Sequence, residues 1–129
     1  MKVIGTCPEF TKDDTEIAIA AATAALPSWR AATGRQRARI LRKWYDLMME
    51  NVDDLATLIT WENGKPIADA KGEVVYAAGF YEWFAEEAPR TYGDTIPATV
   101  LGNRVITVKE PVGVCGLITP WVCIILEGF

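Results

Sequence analysis

The segment PVGVCGLITPW, residues 111–121, limits the possible fold of this chain more than any other. It places a fully apolar run, residues 114–118, directly before a Pro-Trp turn. A buried strand that runs into a turn is typical of the entrance to a nucleotide-binding α/β unit. A parallel crossover needs at least about 10–12 residues including its helix, but only eight residues follow Trp121. We therefore expect an incomplete α/β fold. The chain would be the N-terminal part of an enzyme whose catalytic residues lie in sequence that it lacks.

Composition limits the partners that this chain can have. Its 129 residues suit one domain, and its net charge of −4 argues against a nucleic-acid partner. No run approaches the roughly 18 apolar residues of a transmembrane helix, so no membrane contact is predicted. The start, MKVIGTCPEFTKDD, has no long apolar stretch and is neither Arg-rich nor acid-poor, so a cytoplasmic location is predicted.

The reactive side chains exclude several mechanisms. The chain has no His, which rules out a Ser-His-Asp or Cys-His site and the usual His-containing zinc sites. Its three cysteines, Cys7, Cys115 and Cys123, are widely spaced and form no Cys-X-X-Cys pair, so neither a disulfide framework nor a metal site is predicted. Cys115 lies inside an apolar run and is expected to be a buried packing residue. No catalytic cysteine is predicted, because no local base or cation would lower its pKa.

Hydrophobic periodicity predicts that most of the chain is helical. A first helix is expected to begin at Thr11 with a capping box to Asp14 and to end at Pro27. Three more helices are predicted at residues 35–50, 52–63 and 66–88, separated by Gly34, Gly64 and Pro66. The expected apolar stripes contain Ile40, Leu41, Trp44, Leu47 and Met48, then Leu55, Leu58 and Ile59, then Val74, Val75, Ala78, Tyr81 and Phe84 or Ala85.

The pattern changes beyond Tyr92, where turn-forming residues accumulate. Residues 103–110 then alternate, with Val105, Thr107 and Lys109 on one side and Ile106, Val108 and Glu110 on the other. Both sides mix polar and apolar residues. This predicts a strand that stays exposed until another subunit or segment covers it.

Three clusters allow a functional and a plain structural interpretation. The basic residues from Arg35 to Lys43 could bind nucleic acid or an anionic membrane, but a solvated helix face is favoured. Glu82, Glu86 and Glu87 could act as paired acid–base carboxylates, but solvent-facing positions are favoured. Residues 62–66, ENGKP, contain one glycine, and the end of one helix before another explains them better than an anion site.

The order of these segments resembles the aldehyde dehydrogenase superfamily over about residues 3–121, and one stretch looks most like succinate-semialdehyde dehydrogenases. The superfamily resemblance rests on ENGKP and the ITPW turn. The stretch YEWFAEEAPRTYGDTIP is the one that resembles succinate-semialdehyde dehydrogenases in particular. The matching segments are SWR, RILRKWYDLM, LATLITWENGKP, EVVYAAGFYEWFAEEAPRTYGDTIP and EPVGVCGLITPW.

The resemblance implies an N-terminal helical layer and the first strands of an incomplete Rossmann-like cofactor domain of α/β class. Residues 1–121 would form this partial domain, residues 103–110 would belong to an oligomerisation hairpin, and residues 122–129 would be an unrelated tail. The ITPW turn of the family contacts NAD or NADP, which assigns cofactor contacts to Ile118, Thr119, Pro120 and Trp121. The next family residue is an Asn that donates to the thiohemiacetal oxyanion, and this chain has Val122 there.

By resemblance, the activity is NAD(P)-dependent oxidation of an aldehyde, succinate semialdehyde to succinate, through a Cys thiohemiacetal and thioester. The family's nucleophilic Cys and its water-activating Glu have no counterpart in this sequence, so we expect the chain alone to be inactive and marginally folded. An alternative is a non-catalytic interaction fragment that pairs with itself or a full-length homologue through residues 103–110. A third hypothesis is an independent helical binding module.

Overall fold

The computed structural model describes residue 3 and residues 5–118. Within that part, four α-helices and one short 3₁₀ turn precede a small antiparallel sheet. The elements are α1 (Lys12–Ala31), α2 (Gly34–Glu50), α3 (Val52–Asn63), α4 (Ile67–Glu87), the 3₁₀ turn (Ala88–Arg90), β1 (Thr95–Pro97) and β2 (Arg104–Ile106).

Helix α1 begins as predicted but continues further than expected. The Asp14 carboxylate accepts a hydrogen bond from the backbone N–H of Thr11 at 2.8 Å, which completes the predicted N-terminal cap. The predicted end at Pro27 is wrong, since the helix runs through it to Ala31. Proline removes one N–H from the helical ladder but has a helical φ. Because α1 buries none of its residues, water can reach the carbonyl that loses its partner.

The core lies where α2 and α3 pack against α4. Two buried clusters share the half-buried Leu55 of α3. Aromatic stacking adds to the packing, since the rings of Trp44 and Tyr81 lie 4.5 Å apart between centroids. The first cluster contains Met48, Ala77, Ala78 and Tyr81, and the second contains Ala56, Ile59, Ala70 and Val74.

The predicted bounds of α2, α3 and α4 agree with the structure to within one residue. Their predicted apolar stripes are only partly buried. Six of their members are in the core, whereas six others remain about half exposed. The buried members are Met48, Ile59, Val74, Ala78, Tyr81 and Ala85. Helices α2 and α3 pack mainly on α4, and α2 also contacts the 3₁₀ turn. These contacts cover only part of each apolar stripe within the described residues. The exposed members are Ile40, Trp44, Leu47, Leu58, Val75 and Phe84.

The ENGKP segment ends one helix and begins the next, as favoured from the sequence. Gly64 has φ +79°, the left-handed conformation that glycine adopts at low cost, and its N–H donates to the Thr60 carbonyl at 2.9 Å. Pro66 then caps α4. The Lys65 ammonium forms an ion pair with Glu73, one and a half turns into α4. The lysine therefore fastens the turn to the following helix.

The two strands form a hairpin with Thr95 opposite Ile106, Ile96 opposite Val105, and Pro97 opposite Arg104. The predicted strand at 103–110 is confirmed for its first part only, since β2 spans Arg104–Ile106. Strand β1 was not predicted, because Asp94 and Pro97 indicated turns. Both strands are exposed along their whole length.

The predicted strand at 114–118 is wrong for this chain, because residues 111–118 have no regular secondary structure. A strand needs a hydrogen-bonded neighbour, and the described part of the chain supplies none beside this segment. The expectation that Cys115 is buried is also wrong, since its side chain is exposed. An apolar run therefore lies on the surface, where its backbone groups face solvent.

Candidate cofactor and docking sites

The predicted cofactor turn lies at the limit of the described residues. Ile118 is the last of them and is fully exposed. Thr119, Pro120 and Trp121 lie outside the described residues, as does Val122. The structure therefore places one of the four predicted cofactor contacts, and it leaves that side chain open to a ligand or to further protein. The cofactor contacts themselves stay a prediction.

An ion pair joins α1 to the residue that precedes the segment leading to Ile118. The guanidinium of Arg30, in the last turn of α1, lies 3.4 Å from the Glu110 carboxylate. Both side chains are more than half exposed, so the pair contributes little to stability. Val112 and Leu117 extend into solvent beyond it. Residues 111–118 thus present an apolar surface that the described residues leave uncovered.

Strand β2 has the open edge of the hairpin. Hydrogen-bonded and non-hydrogen-bonded pairs alternate in an antiparallel ladder, and the Thr107 N–H donates to the Asp94 carbonyl at 2.9 Å. The alternation makes Ile96–Val105 the next bonded pair, and the backbone groups of Arg104 and Ile106 then point away from β1. Pro97 has no N–H to offer on the outer edge of β1. A further strand can therefore pair with β2 better than with β1.

The three glutamates that were considered as acid–base carboxylates, and expected to face solvent, form ion pairs with two arginines. Arg42 of α2 donates to Glu82 of α4 at 2.8 Å and lies 3.4 Å from Glu86. The hydrogen bond to Glu82 is the main reason that the pKa of Arg42 is raised, and the charges of Glu82 and Glu86 add to it. Glu87 pairs with Arg90 at 2.8 Å. Glu86 is exposed and the other two are half-buried, so the expectation of solvent-facing positions is only partly right. The ion pairs of Arg42 therefore connect α2 to α4 at the protein surface.

The outer side of α4 carries an aromatic groove that the sequence reasoning missed. Its volume is about 400 Å³, and its lining residues are all apolar or glycine. The rings of Tyr76 and Phe80 meet edge to face with centroids 5.0 Å apart. A helix with apolar residues on more than one side is expected to be covered on more than one side. This pattern in the α4 sequence could have indicated the groove. The groove is lined by Tyr76, Gly79, Phe80, Trp83 and Phe84.

The described part of the chain has neither a metal site nor a membrane span. Among residues 3 and 5–118, no three His, Cys, Asp or Glu side chains are grouped to hold a metal ion. None of the helices in these residues is long and apolar enough to cross a bilayer.

Comparison with known proteins identifies the family. The profile of the aldehyde dehydrogenase family matches residues 1–124. Succinate-semialdehyde dehydrogenase [NADP(+)] GabD of Escherichia coli K12 is 57% identical over 118 residues, which are 92% of this chain and 24% of that protein. Glutarate-semialdehyde dehydrogenase of Pseudomonas putida is also 57% identical, over 93% of this chain and 25% of its own length.

Solved structures agree with the sequence comparison. Succinate-semialdehyde dehydrogenase from Burkholderia pseudomallei matches with a TM-score of 0.92 and 51% identity, over 96% of this chain and 26% of that one. Betaine aldehyde dehydrogenase from Staphylococcus aureus, solved in complex with NAD+, matches with a TM-score of 0.90 and 34% identity, over 98% of this chain and 26% of that one.

The resemblance inferred from the sequence is therefore confirmed, and so is the expected incomplete α/β architecture of mostly helices with a small sheet. The chain spans about a quarter of the length of the relatives that it matches. The relatives' names include both NADP+ and NAD+ as cofactors. This chain belongs to the aldehyde dehydrogenase family.

Proposed function

We propose that this chain supplies the cofactor-side portion of an NAD(P)-dependent dehydrogenase that oxidises the semialdehyde of a short dicarboxylic acid, with succinate semialdehyde as the first candidate. The observation that carries the proposal is the 57% identity to the succinate- and glutarate-semialdehyde dehydrogenases. An identity this high over more than nine-tenths of the chain supports a shared substrate class. The proposal includes a cytoplasmic location, which rests on the N-terminal sequence alone.

The proposed contribution of this chain is binding rather than bond making. NAD or NADP accepts the hydride in this family, and we assign contacts with it to Ile118, Thr119, Pro120 and Trp121. The family's Cys attacks the aldehyde, and its Glu activates the water that releases the acid from the thioester. Neither residue has a counterpart in these 129 residues, so the isolated chain is expected to form no NAD(P)H.

Two measurements test this proposal. The purified chain is incubated with succinate semialdehyde and each cofactor, and absorbance at the NAD(P)H band is followed beside the Escherichia coli enzyme. No signal is expected from the chain, and aldehyde-dependent NAD(P)H formation would contradict the inactive assignment.

A chimera then tests the binding role. Residues 5–121 of this chain replace the aligned segment of the Escherichia coli enzyme, and the chimera is expected to oxidise succinate semialdehyde. Trp121→Ala in this chimera should raise the KM for NADP+ more than it changes kcat. A folded chimera without activity would contradict the assigned binding role. So would a KM for NADP+ that Trp121→Ala leaves unchanged.

The second candidate is an interaction fragment without catalytic function, and the open β2 edge favours it. The backbone N–H and C=O groups of Arg104 and Ile106 are available to a further strand, and Ile106 is 68% exposed. Such edges pair readily with other chains. The test is co-purification of the chain with a full-length homologue.

A matched pair of variants tests this strand-pairing role. Ile106→Pro removes the outward N–H and should abolish capture, whereas Ile106→Ala keeps that donor and should retain it. Equal capture by the two variants would exclude pairing through β2, and no capture by the unmodified chain would exclude this candidate.

A further inference from the structure

Asn63 is an asparagine that a glycine follows, and it lies at the junction of α3 and α4. It is the last residue of α3 and is exposed. A side chain on the following residue hinders attack of that residue's backbone nitrogen on the asparagine amide, and glycine has no side chain. The other two asparagines of the sequence precede a valine and an arginine. Asn63 is therefore the asparagine most open to this attack.

The closed turn holds the nitrogen that would react. Gly64 ends α3 with φ +79° and ψ 11°, and its N–H donates to the Thr60 carbonyl at 2.9 Å. This hydrogen bond keeps the proton on the nitrogen and fixes the nitrogen at the helix end. Among the described residues, a Cβ built on Gly64 would meet no atom within 4 Å apart from its chain neighbours. The turn therefore has room to rearrange once the hydrogen bond opens.

We propose that Asn63 is a site of spontaneous deamidation, and that closure of α3 at Gly64 controls its rate. Asparagine is among the thermolabile residues. In the reaction the Gly64 nitrogen loses its proton to hydroxide and forms a bond to Cγ of Asn63. The bond from Cγ to the amide nitrogen breaks, and this nitrogen takes a proton from water and leaves as ammonia. Water then opens the cyclic imide at either carbonyl, which gives aspartate or isoaspartate without any oxidation or reduction.

Deamidation loosens the junction between α3 and α4. It places a carboxylate at the C-terminal end of α3, next to Glu62 and at the negative end of the helix dipole. Isoaspartate also adds a methylene to the backbone before Gly64, which moves the Gly64 N–H away from the Thr60 carbonyl. The next residue, Lys65, connects the turn to α4 through its ion pair with Glu73. The modification therefore disturbs both the hydrogen bond that closes α3 and the ion pair that follows it.

Ageing of the full chain tests the proposal. The purified chain is held at mildly alkaline pH in buffer and in denaturant, and peptide mass spectrometry measures the conversion of each asparagine. Conversion of Asn63 should be at least about 10-fold faster in denaturant, because the folded chain reacts only after the turn opens. Asn51 and Asn103 are internal controls and should convert slowly in both conditions. Asn63→Gln is the matched variant, since its longer side chain would have to close a less favourable ring, and it should not convert.

Circular dichroism shows whether the helices are present during ageing in buffer. If they are not, the same comparison is made in the chimera that carries residues 5–121 within the Escherichia coli enzyme. A second readout is hydrogen exchange of the Gly64 N–H, which should become at least about 10-fold faster after ageing. The aged Asn63→Gln variant should keep its original exchange rate.

Each part of the proposal has its own contrary result. Equal conversion of the three asparagines, or no conversion of Asn63 in denaturant, overturns the assignment of the site. Equal rates at Asn63 in the folded and the unfolded protein overturn the control by helix closure. Unchanged exchange of the Gly64 N–H after Asn63 has converted overturns the effect on the junction between α3 and α4.

Discussion

Gly93 lies against the backbone carbonyl of Thr107 so closely that a Cβ built on Gly93 would come within 1.8 Å of that oxygen. The neighbouring residue completes the contact, since Asp94 donates from its N–H to the Thr107 hydroxyl at 2.8 Å and accepts from the Thr107 N–H at 2.9 Å. These bonds close the hairpin base just before β1 and just after β2. Gly93 is therefore a packing requirement of the hairpin.

Gly93→Ala is expected to open the hairpin base, at a cost of about 1–3 kcal/mol for forcing the backbones apart. Amide hydrogen exchange measures the effect directly, because the Thr107 N–H should lose protection. Gly72→Ala is the matched control. Gly72 is in α4, and a Cβ added to it would meet no atom within 4 Å outside its own stretch of helix, so this change should stabilise the helix by about 0.5–1 kcal/mol. Unchanged protection at Thr107 in Gly93→Ala would contradict the close contact.

The helices could be predicted from the sequence because their signals are local. The Thr11–Asp14 cap, the closure at Gly64 and the 3.6-residue stripe of α4 each depend on residues within one or two turns. Pro27 is the exception, since its effect depends on whether the surrounding helix is buried. No residue of α1 is buried, and this could not be read from the local sequence.

The candidate sites were harder to predict because their environment is non-local. Cys115 was expected to be buried on the assumption that a sheet surrounds residues 114–118, but no neighbouring strand lies beside them in the described part of the chain. The pairing of Arg42 with Glu82 joins residues 40 apart in sequence, and no periodicity within one helix indicates it. The resemblance of motifs indicated the family, which is confirmed, and the cofactor contacts, which stay a prediction. The open β2 edge and the aromatic groove of α4 depend on tertiary structure.

Two adjacent valines of α4 allow the effect of a buried side chain on stability to be compared with that of an exposed one. Val74 is fully buried between α3 and α4, and Val75 is 48% exposed. Val74→Ala should lower the free energy of unfolding by about 2–3 kcal/mol, from lost burial plus a cavity. Val75→Ala should change it by no more than about 0.5 kcal/mol. Urea denaturation followed by helical circular dichroism measures both. Equal effects would show that the Val74 cluster does not form in solution.

The start of α1 should respond to acid through Asp14. Hydrogen bonds from the Thr11 backbone N–H, and then from its hydroxyl, lower the pKa of Asp14 below the ordinary aspartate value. A lowered folded pKa means that the charged form stabilises the helix. This stabilisation is complete above the ordinary value of about 4, and it is lost as the pH falls through the folded pKa.

Helicity near α1 should therefore begin to decrease as the pH falls below about 4, and it should decrease further as the pH falls through the lowered pKa of Asp14. Circular dichroism between pH 6 and pH 2 measures the decrease, and Asp14→Asn should show a smaller one because its cap no longer titrates. Asp13→Asn is the control, since Asp13 is in the same first turn and the Thr11 cap is formed with Asp14 instead. An acid response of Asp14→Asn as large as that of the unmodified chain would contradict the role of the cap.

Val122 should limit the activity of any enzyme assembled with this chain. In the family an Asn at this position donates a hydrogen bond to the oxyanion, and a valine side chain has no donor. A chimera that extends the graft to residues 5–122 therefore carries Val122 into the Escherichia coli enzyme. Its kcat should be about 10²–10³ lower than that of the same chimera with Val122→Asn, which is the typical cost of one missing oxyanion donor. The KM for NADP+ should be similar in the two, because the cofactor contacts assigned to 118–121 are unchanged. Equal kcat values would show that another group stabilises the oxyanion and that this position does not.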